Sequence, residues 1–362
     1  MFFDYLDGGT GDEHGIAANR QAFDSIRLVP QFLGEGKGGD GSATIFGQRY
    51  SIPLGVSPVG VAGFIWPGAE IMMARLASEF AIPFVLSMVA TATMEEIHGA
   101  AAGRAWLQVY PTQDRVILSD IVDRAKEIGY TVLVATIDTP TISRRHRDIR
   151  NGYDTPFRIG PHTVWDFVRR PAWLTAMARN GIPDCGLFRP YMPKSASTPF
   201  ERVAFAEAQV CSTPFDLNRL TRLRNEWPHR LVVKGVLSVE DAERAIGVGA
   251  DGLIVSNHGA RQLDAAPASI DALLRLVHPF ASRTVLMLDS GVRSGLDVVR
   301  ALAVGAHLTF SGRSFYYAVG ALGADGGRRA IELLTDEYRR TLAQIGCSPR
   351  DALRLRNQEA CE

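Results

Sequence analysis

Eight short apolar runs recur along this chain, at residues 52–56, 83–86, 105–109, 131–137, 231–233, 252–255, 284–288 and 307–310. Each is too short for a helix and nearly free of charged residues, the pattern of a parallel strand buried on both faces. Segments with helical spacing lie between most of them, at 70–80, 115–128, 239–247, 269–277 and 295–304, and most end in a turn containing Gly or Pro. Strand and helix alternating eight times point to an α/β chain folded as a (β/α)₈ TIM barrel, for which about 250 residues are typical. The chain has 362 residues. The excess precedes the first run, follows the last, and forms an insertion at 151–227 between strands four and five, all within one domain spanning 1–362.

Charge and cysteine usage narrow the class. Lys plus Arg and Asp plus Glu both number 39, so no net field draws the protein to nucleic acid. Cys185, Cys211, Cys347 and Cys361 are scattered without metal-binding or redox spacing. That argues against a disulfide framework and a zinc site, and suits a reducing, cytoplasmic setting with no metal. No signal-peptide pattern opens the chain, and no run approaches the roughly 20 apolar residues of a membrane span. A soluble protein, or one resting on a membrane surface, is expected.

Polar residues gather where the strands end. Ser57 and Gly60 follow strand one, Ser87 ends strand two, Gln108 and Tyr110 end strand three, Thr136 and Asp138 end strand four, Lys234 ends strand five, and His258 with Arg261 follows strand six. One polar strand end is ordinary; six in succession map a site onto the carboxyl face, where barrel enzymes work. Within Ser256-Asn257-His258-Gly259-Ala260-Arg261, a base and a guanidinium stand three positions apart. The pair suits a substrate with a carboxylate for the arginine and a proton for the histidine.

After strand seven comes Asp289-Ser290-Gly291-Val292-Arg293, and after strand eight Ser311-Gly312-Arg313. Glycines there let backbone N–H groups approach an anion, and the helices that follow favour negative charge. Loops seven and eight form the usual barrel phosphate site, so a phosphorylated ligand is expected. A barrel isomerase would share these loops but has no use for His258 beside a carboxylate-binding arginine, and a non-catalytic phosphate binder has no use for Lys234, Asp138 and His258 together.

The segments SNHGARQLD, DSGVRSGLDVVRALAVGA, ATIDTPTISRRHRDIRNGY and LVVKGVLSVEDAERAIGVGADGLIVSNHG resemble those of the FMN-dependent 2-hydroxy acid dehydrogenases and oxidases, the family of glycolate oxidase and flavocytochrome b2. The motif YLDGG, the DSG where most members have DGG, and WPHRLVVKG are similar to its mandelate dehydrogenase group. The resemblance implies FMN at the barrel mouth, with its phosphate at Gly291, Arg293, Gly312 and Arg313 and its ribityl chain at Asp289. The ring would meet Pro58, Val59 and Gly60, with Ser87, Gln108, Thr136 and Ser256 as further cofactor contacts. Lys234 would lie at the N1 edge, where a positive charge helps the ring accept electrons. Arg145 and Arg261 would clamp the substrate carboxylate with help from Tyr5 and Tyr110. His258 would be the base, oriented by Asp138.

The same resemblance frames substrate and partners. Val89 stands where glycolate oxidase has a tryptophan, leaving room for an aromatic 2-hydroxy acid such as (S)-mandelate. Gly60 stands where the glycolate oxidase type has Ala, which favours a quinone-type acceptor over oxygen. The competing expectation is an oxygen-using oxidase of 4-hydroxymandelate, lactate or glycolate in a biosynthetic pathway. In the insertion, Trp165, Phe167 and Trp173 accompany Arg158, Arg169, Arg170 and Arg179, as in a segment lying on anionic lipid at the inner face of the cell membrane. An active-site lid or an oligomer contact, in a tetramer for example, fits it equally. Prolines from Pro156 to Pro199 speak against one long helix there. The family's leading helical segment is missing or very short, which puts closure of the barrel bottom in question.

Overall fold

The computed structural model describes residues 2–33, 41–153, 160–210 and 213–354. Cys211, Cys361, Pro156 and Arg158 lie outside the described residues. All eight apolar runs form strands: β1 Leu54–Val56, β2 Phe84–Leu86, β3 Ala105–Val109, β4 Val132–Thr136, β5 Arg230–Val236, β6 Gly252–Val255, β7 Val285–Leu288 and β8 Leu308–Ser311. They pair in parallel and in sequence order, and β8 pairs back onto β1 to close the barrel. Closure leaves no strand edge in the barrel for another chain to pair with. The helices Arg115–Ile128, Val239–Gly247 and Gly295–Val304 start and stop where their spacing predicts. Asp114, Ser238 and Ser294 cap them by accepting hydrogen bonds from first-turn backbone N–H groups.

Alternate side chains of each strand face the barrel axis. Val85, Trp106, Val134, Val232, Ile254, Met287 and Phe310 meet there in one apolar cluster, while outward residues such as Leu107, Leu133 and Leu253 pack in a second cluster that includes the helices. A hairpin of Ala43–Ile45 and Gln48–Tyr50 adds Ile45, Phe46 and Tyr50 to the inner cluster. This hairpin closes the barrel floor. Trp106 is its keystone, with ring centroids 5.9 Å from Phe46 and 5.5 Å from Phe310.

The insertion is a set of short helices, Pro161–Val168, Pro171–Asn180, Pro199–Val210 and Leu217–Glu226. Pro161 and Pro171 each open a helix, where a missing N–H costs nothing. Phe167 and Trp173 turn inward: Phe167 stacks on Phe2 at 6.0 Å, and the Trp173 indole donates to the Phe64 carbonyl at 3.1 Å. Val164, Trp165, Val168, Leu174 and Ile182 stay exposed, Trp165 to 62%.

Replacing Trp106 with Ala should cost about 3–5 kcal/mol, as for large buried aromatics. A urea titration followed by far-UV circular dichroism measures it, and a midpoint equal to the parent's would show that the floor is held otherwise.

Candidate active site

Two residues past each inward strand position, the next residue of the same row lies one layer nearer the mouth of the barrel. Ser57 follows Gly55, Ser87 follows Val85, Gln108 follows Trp106, Thr136 follows Val134, Lys234 follows Val232, Ser256 follows Ile254 and Asp289 follows Met287. A period of two thus sets a polar layer directly on an apolar one. The layer is tied together from within. Lys234, only 3% exposed, has its ammonium 3.0 Å from Asp289 Oδ2 and 2.8 Å from Ser256 Oγ. Ser57 donates to the same Asp289 oxygen at 3.3 Å, and the Gln108 amide donates to Thr136 Oγ1 at 3.0 Å. Lys234 is therefore a buried, paired cation and not a surface lysine.

His258 stands above this layer on a strained turn. His258, Gly259 and Ala260 have φ of 60°, 67° and 60°, three consecutive left-handed residues of which only the glycine adopts the conformation without cost. Side-chain oxygens hold the turn: Ser256 Oγ accepts from His258 N at 3.0 Å, Ser290 Oγ from Gly259 N at 2.8 Å, and Asn257 Oδ1 from Ala260 N at 3.1 Å. The imidazole Nδ1 lies 2.9 Å from Asp138 Oδ1. With Nδ1–H donating to that carboxylate, Nε2 keeps its lone pair. Burial pushes the Asp138 carboxyl up, but His258 and Lys234 outweigh it and hold it below its ordinary value.

The N-terminal segment roofs the site and supplies Tyr5. Tyr5 Oη donates to the Gly60 carbonyl at 3.2 Å, its ring stacks on Tyr153 at 4.6 Å, and the Arg261 and Arg145 guanidinia lie 4.7 and 5.7 Å from its centroid. Arg261 also donates to the Gly8 carbonyl at 2.8 Å and to the Tyr5 carbonyl. Burial, and then the like charge of Arg145, lower the Arg261 pKa, so this corner is short of negative charge. Asp148 is 3.5 Å from Arg145.

Loops seven and eight form a second cationic corner. Arg313 donates to the carbonyls of Leu6, Gly259 and Gly8 at 2.8–3.0 Å, which uses three of its five N–H groups to fasten the N-terminal segment. Burial lowers its pKa first, with Arg261 and Arg293 adding like charge; burial likewise lowers that of Arg293. Gly291 has a φ of 95°, and a Cβ there would come within 2.9 Å of Phe23. Asp297, fully buried, accepts from Arg293 N, Ser294 N and the Arg20 guanidinium at 3.0, 3.1 and 2.7 Å.

One cavity of about 1160 Å³, measured out to its mouth, joins both corners. Its lining includes Tyr5, Pro58, Val59, Gly60, Tyr110, Thr136, Arg145, Lys234, His258, Arg261, Asp289, Gly291, Arg293, Gly312 and Arg313, all named from the sequence. Ser87, Gln108 and Ser256 are buried and do not line it, and Asp138 sits behind His258. Met88 and Val61, beside Val89 and Gly60 in sequence, are buried in the core. Sequence reasoning missed Ser290, Asp297, Arg20 and Glu207. Asp297 was detectable, since Ser294-x-x-Asp297 has capping-box spacing; Arg20 and Glu207 reach the site only through the fold.

A glycine-lined corner holding Arg293 and Arg313 short of negative charge, joined by one cavity to a buried ammonium in its floor, fits a phosphorylated, electron-accepting cofactor. Fold and site define a flavin-binding barrel oxidoreductase. The model of the FMN-dependent dehydrogenase family matches residues 1–358, and the chain belongs to that family. It is 37% identical over 347 residues to the (S)-mandelate dehydrogenase of Pseudomonas putida, covering 96% of this chain and 86% of that one. To the 4-hydroxymandelate oxidase of Amycolatopsis orientalis it is 34% identical over 355 residues, 98% of this chain and 92% of that one. The crystal structure of the monotopic membrane protein (S)-mandelate dehydrogenase superposes with a TM-score of 0.90 at 36% identity, over 98% of this chain and 94% of that one. The protein is an FMN-dependent enzyme that oxidises 2-hydroxy acids.

Because the folded-state pKa of Asp138 is depressed, its ionised form adds stability above the ordinary carboxyl value of 3.8, lost as pH falls through the lower folded value. Stability of the parent should therefore fall more steeply below about pH 4 than that of Asp138→Asn. Urea midpoints at pH 3 to 6 test this, and parallel curves would contradict it.

Proposed function

We propose that the enzyme oxidises (S)-mandelate or a closely related aromatic 2-hydroxy acid to the 2-oxo acid, and that a quinone-type acceptor takes the electrons. The observation that carries the reading is His258, held by Asp138 at 2.9 Å, lining one cavity with Arg145 and Arg261. Arg261 and Arg145 bind the carboxylate, and Tyr5 and Tyr110 hydrogen-bond the carboxylate or hydroxyl oxygen. His258 Nε2 accepts the substrate proton, and Asp138 stabilises the imidazolium that forms. Gly291, Arg293, Gly312 and Arg313 hold the cofactor phosphate, and Ser57, Pro58 to Gly60, Thr136 and Lys234 border its ring. Bound FMN supplies the two-electron acceptor, and the buried Lys234 ammonium favours the negative charge that reduction brings.

Two features favour an aromatic side chain and a quinone. Val89 leaves the cavity wall open, and relatives named for mandelate stand among the matches. A Cβ on Gly60 would meet Val89 Cγ2 at 2.7 Å and Tyr5 Oη at 3.3 Å, so this chain needs the glycine for space. Among the described residues no helix is long and apolar enough to cross a membrane. The exposed Val164, Trp165, Val168, Leu174 and Ile182, together with the exposed Arg169, Arg170 and Arg179, suit a segment resting on anionic lipid.

Under anaerobic conditions (S)-mandelate should bleach the visible flavin band much faster than lactate or glycolate. His258→Ala should keep the yellow cofactor and slow bleaching by roughly 10²–10⁴-fold; bleaching at the parent's rate would remove His258 as the base. Arg261→Lys should lower kcat/KM by roughly 10- to 150-fold, mostly through KM, because an ammonium cannot reproduce the planar fork. Sedimentation with vesicles containing phosphatidylserine, abolished by Trp165→Ser with Arg169→Ser and Arg170→Ser, tests the membrane reading. Equal sedimentation of parent and variant would leave the segment as a lid or oligomer contact.

A further inference from the structure

The helix His14–Ser25 buries Gly15, Asn19, Ala22 and Phe23, whose spacing marks one helical stripe. Patterning calls for an apolar side chain at position 19, yet the stripe carries an amide that is only 3% exposed. A buried amide is costly unless its hydrogen bonds are met inside the protein. The loop after β6 meets them. Asn19 Nδ2 donates to Asn257 Oδ1 at 3.0 Å, and Asn257 Nδ2 donates back to Asn19 Oδ1 at 2.9 Å.

The pair fixes Asn257 in one orientation. Its other amide N–H goes to the Pro267 carbonyl at 3.2 Å, and the other lone pair of its Oδ1 accepts from Ala260 N at 3.1 Å. All four of its hydrogen-bonding positions are then occupied, so whatever faces it must accept at one point and donate at the other. An asparagine amide does both in one plane. The helix that carries Asn19 is anchored on either side of it. Gly15 N donates to Asp264 Oδ1 at 2.7 Å, and the Arg20 guanidinium donates to the Gly291 carbonyl and, at 2.7 Å, to Asp297. Asn19 Oδ1 also accepts from Ser269 N at 3.3 Å, at the start of a helix whose N-cap, Ala268, offers no side-chain oxygen.

Ala260 N closes the turn that carries His258, and both residues hold a φ of 60° there. Such a turn keeps its shape only while its contacts persist. Without the Asn19 amide, Asn257 is free to rotate, Ala260 N loses its acceptor, and the imidazole shifts against Asp138 Oδ1, now 2.9 Å from Nδ1. We infer that Asn19 is a positioning residue for the oxidation, acting through Asn257, 238 residues away in sequence, to aim His258. The inference rests on the proposed role of His258 as the base.

The test is anaerobic stopped-flow reduction of the holoenzyme by whichever of mandelate, lactate and glycolate bleaches the parent fastest. Misplacing a catalytic group by about 1 Å costs up to roughly 10²-fold in rate, so the limiting rate should fall roughly 10- to 100-fold in Asn19→Leu, which keeps the volume, and in Asn19→Ala. Bound FMN and the substrate concentration at half-saturation should stay near the parent's, because Asn19 does not line the cavity. In a His258→Ala background, Asn19→Leu should slow the residual reduction no further, since its effect runs through the imidazole. Additional slowing there, or loss of FMN or of the fold in both Asn19 variants, would make the residue merely structural and overturn the inference. Parental rates in both Asn19 variants would sink it and leave the proposed base intact. A parental rate in His258→Ala, or no reduction of the parent by any of the three acids, would remove the proposed base and this inference with it.

Discussion

Alternation along eight parallel strands is the constraint from which the rest follows. Each strand must turn every second side chain toward the barrel axis, so residues two apart fall in stacked layers. Trp106, Val134, Val232, Ile254 and Met287 fill the lower layer, and Gln108, Thr136, Lys234, Ser256 and Asp289 the layer above. An apolar floor under a polar layer gives the site its chemistry. Lys234 is buried to 3% exposure, and Asp289 and Ser256 meet its ammonium.

The loops above that layer are held in conformations the backbone resists. His258, Ala260 and Ser290 all have positive φ without being glycine. Such residues cost of order 1–3 kcal/mol each and persist only where surrounding contacts over-determine them. Here Ser256, Ser290 and Asn257 accept the three N–H groups of the turn, so side chains in and beside the polar layer also aim the His258 imidazole. The surplus of guanidinium charge at Arg261, Arg293 and Arg313 is a related arrangement. Burial disfavours these cations, and an anion bound beside them would offset it.

Much of the site was legible because strand periodicity and motif spacing are local. The eight runs and the helices at 115–128, 239–247 and 295–304 could be read directly, as could His258 with Arg261 and the two glycine loops. Other features depend on contacts distant in sequence. Arg313 was read as a phosphate ligand, and its fork also reaches back to Leu6 and Gly8, about three hundred residues away, which its motif does not reveal. Glu207 lines the cavity only because the insertion packs over the mouth. The hairpin at 43–50 offered only two three-residue strands, too short to identify as the plug of a barrel.

The sequence by itself determined the barrel and the face that bears the cavity, and it singled out the glycine loops and His258 as candidates, since each rests on residue type and short-range spacing. Only the tertiary structure decided which polar residues line the cavity and which lie beneath or behind it, how Asp138 meets His258 Nδ1, and how Tyr5 comes to lie against Arg145 and Arg261. The physical reason is that periodicity tells a side chain which way to face, whereas its partner is chosen by closure of the barrel and by segments packed over its mouth.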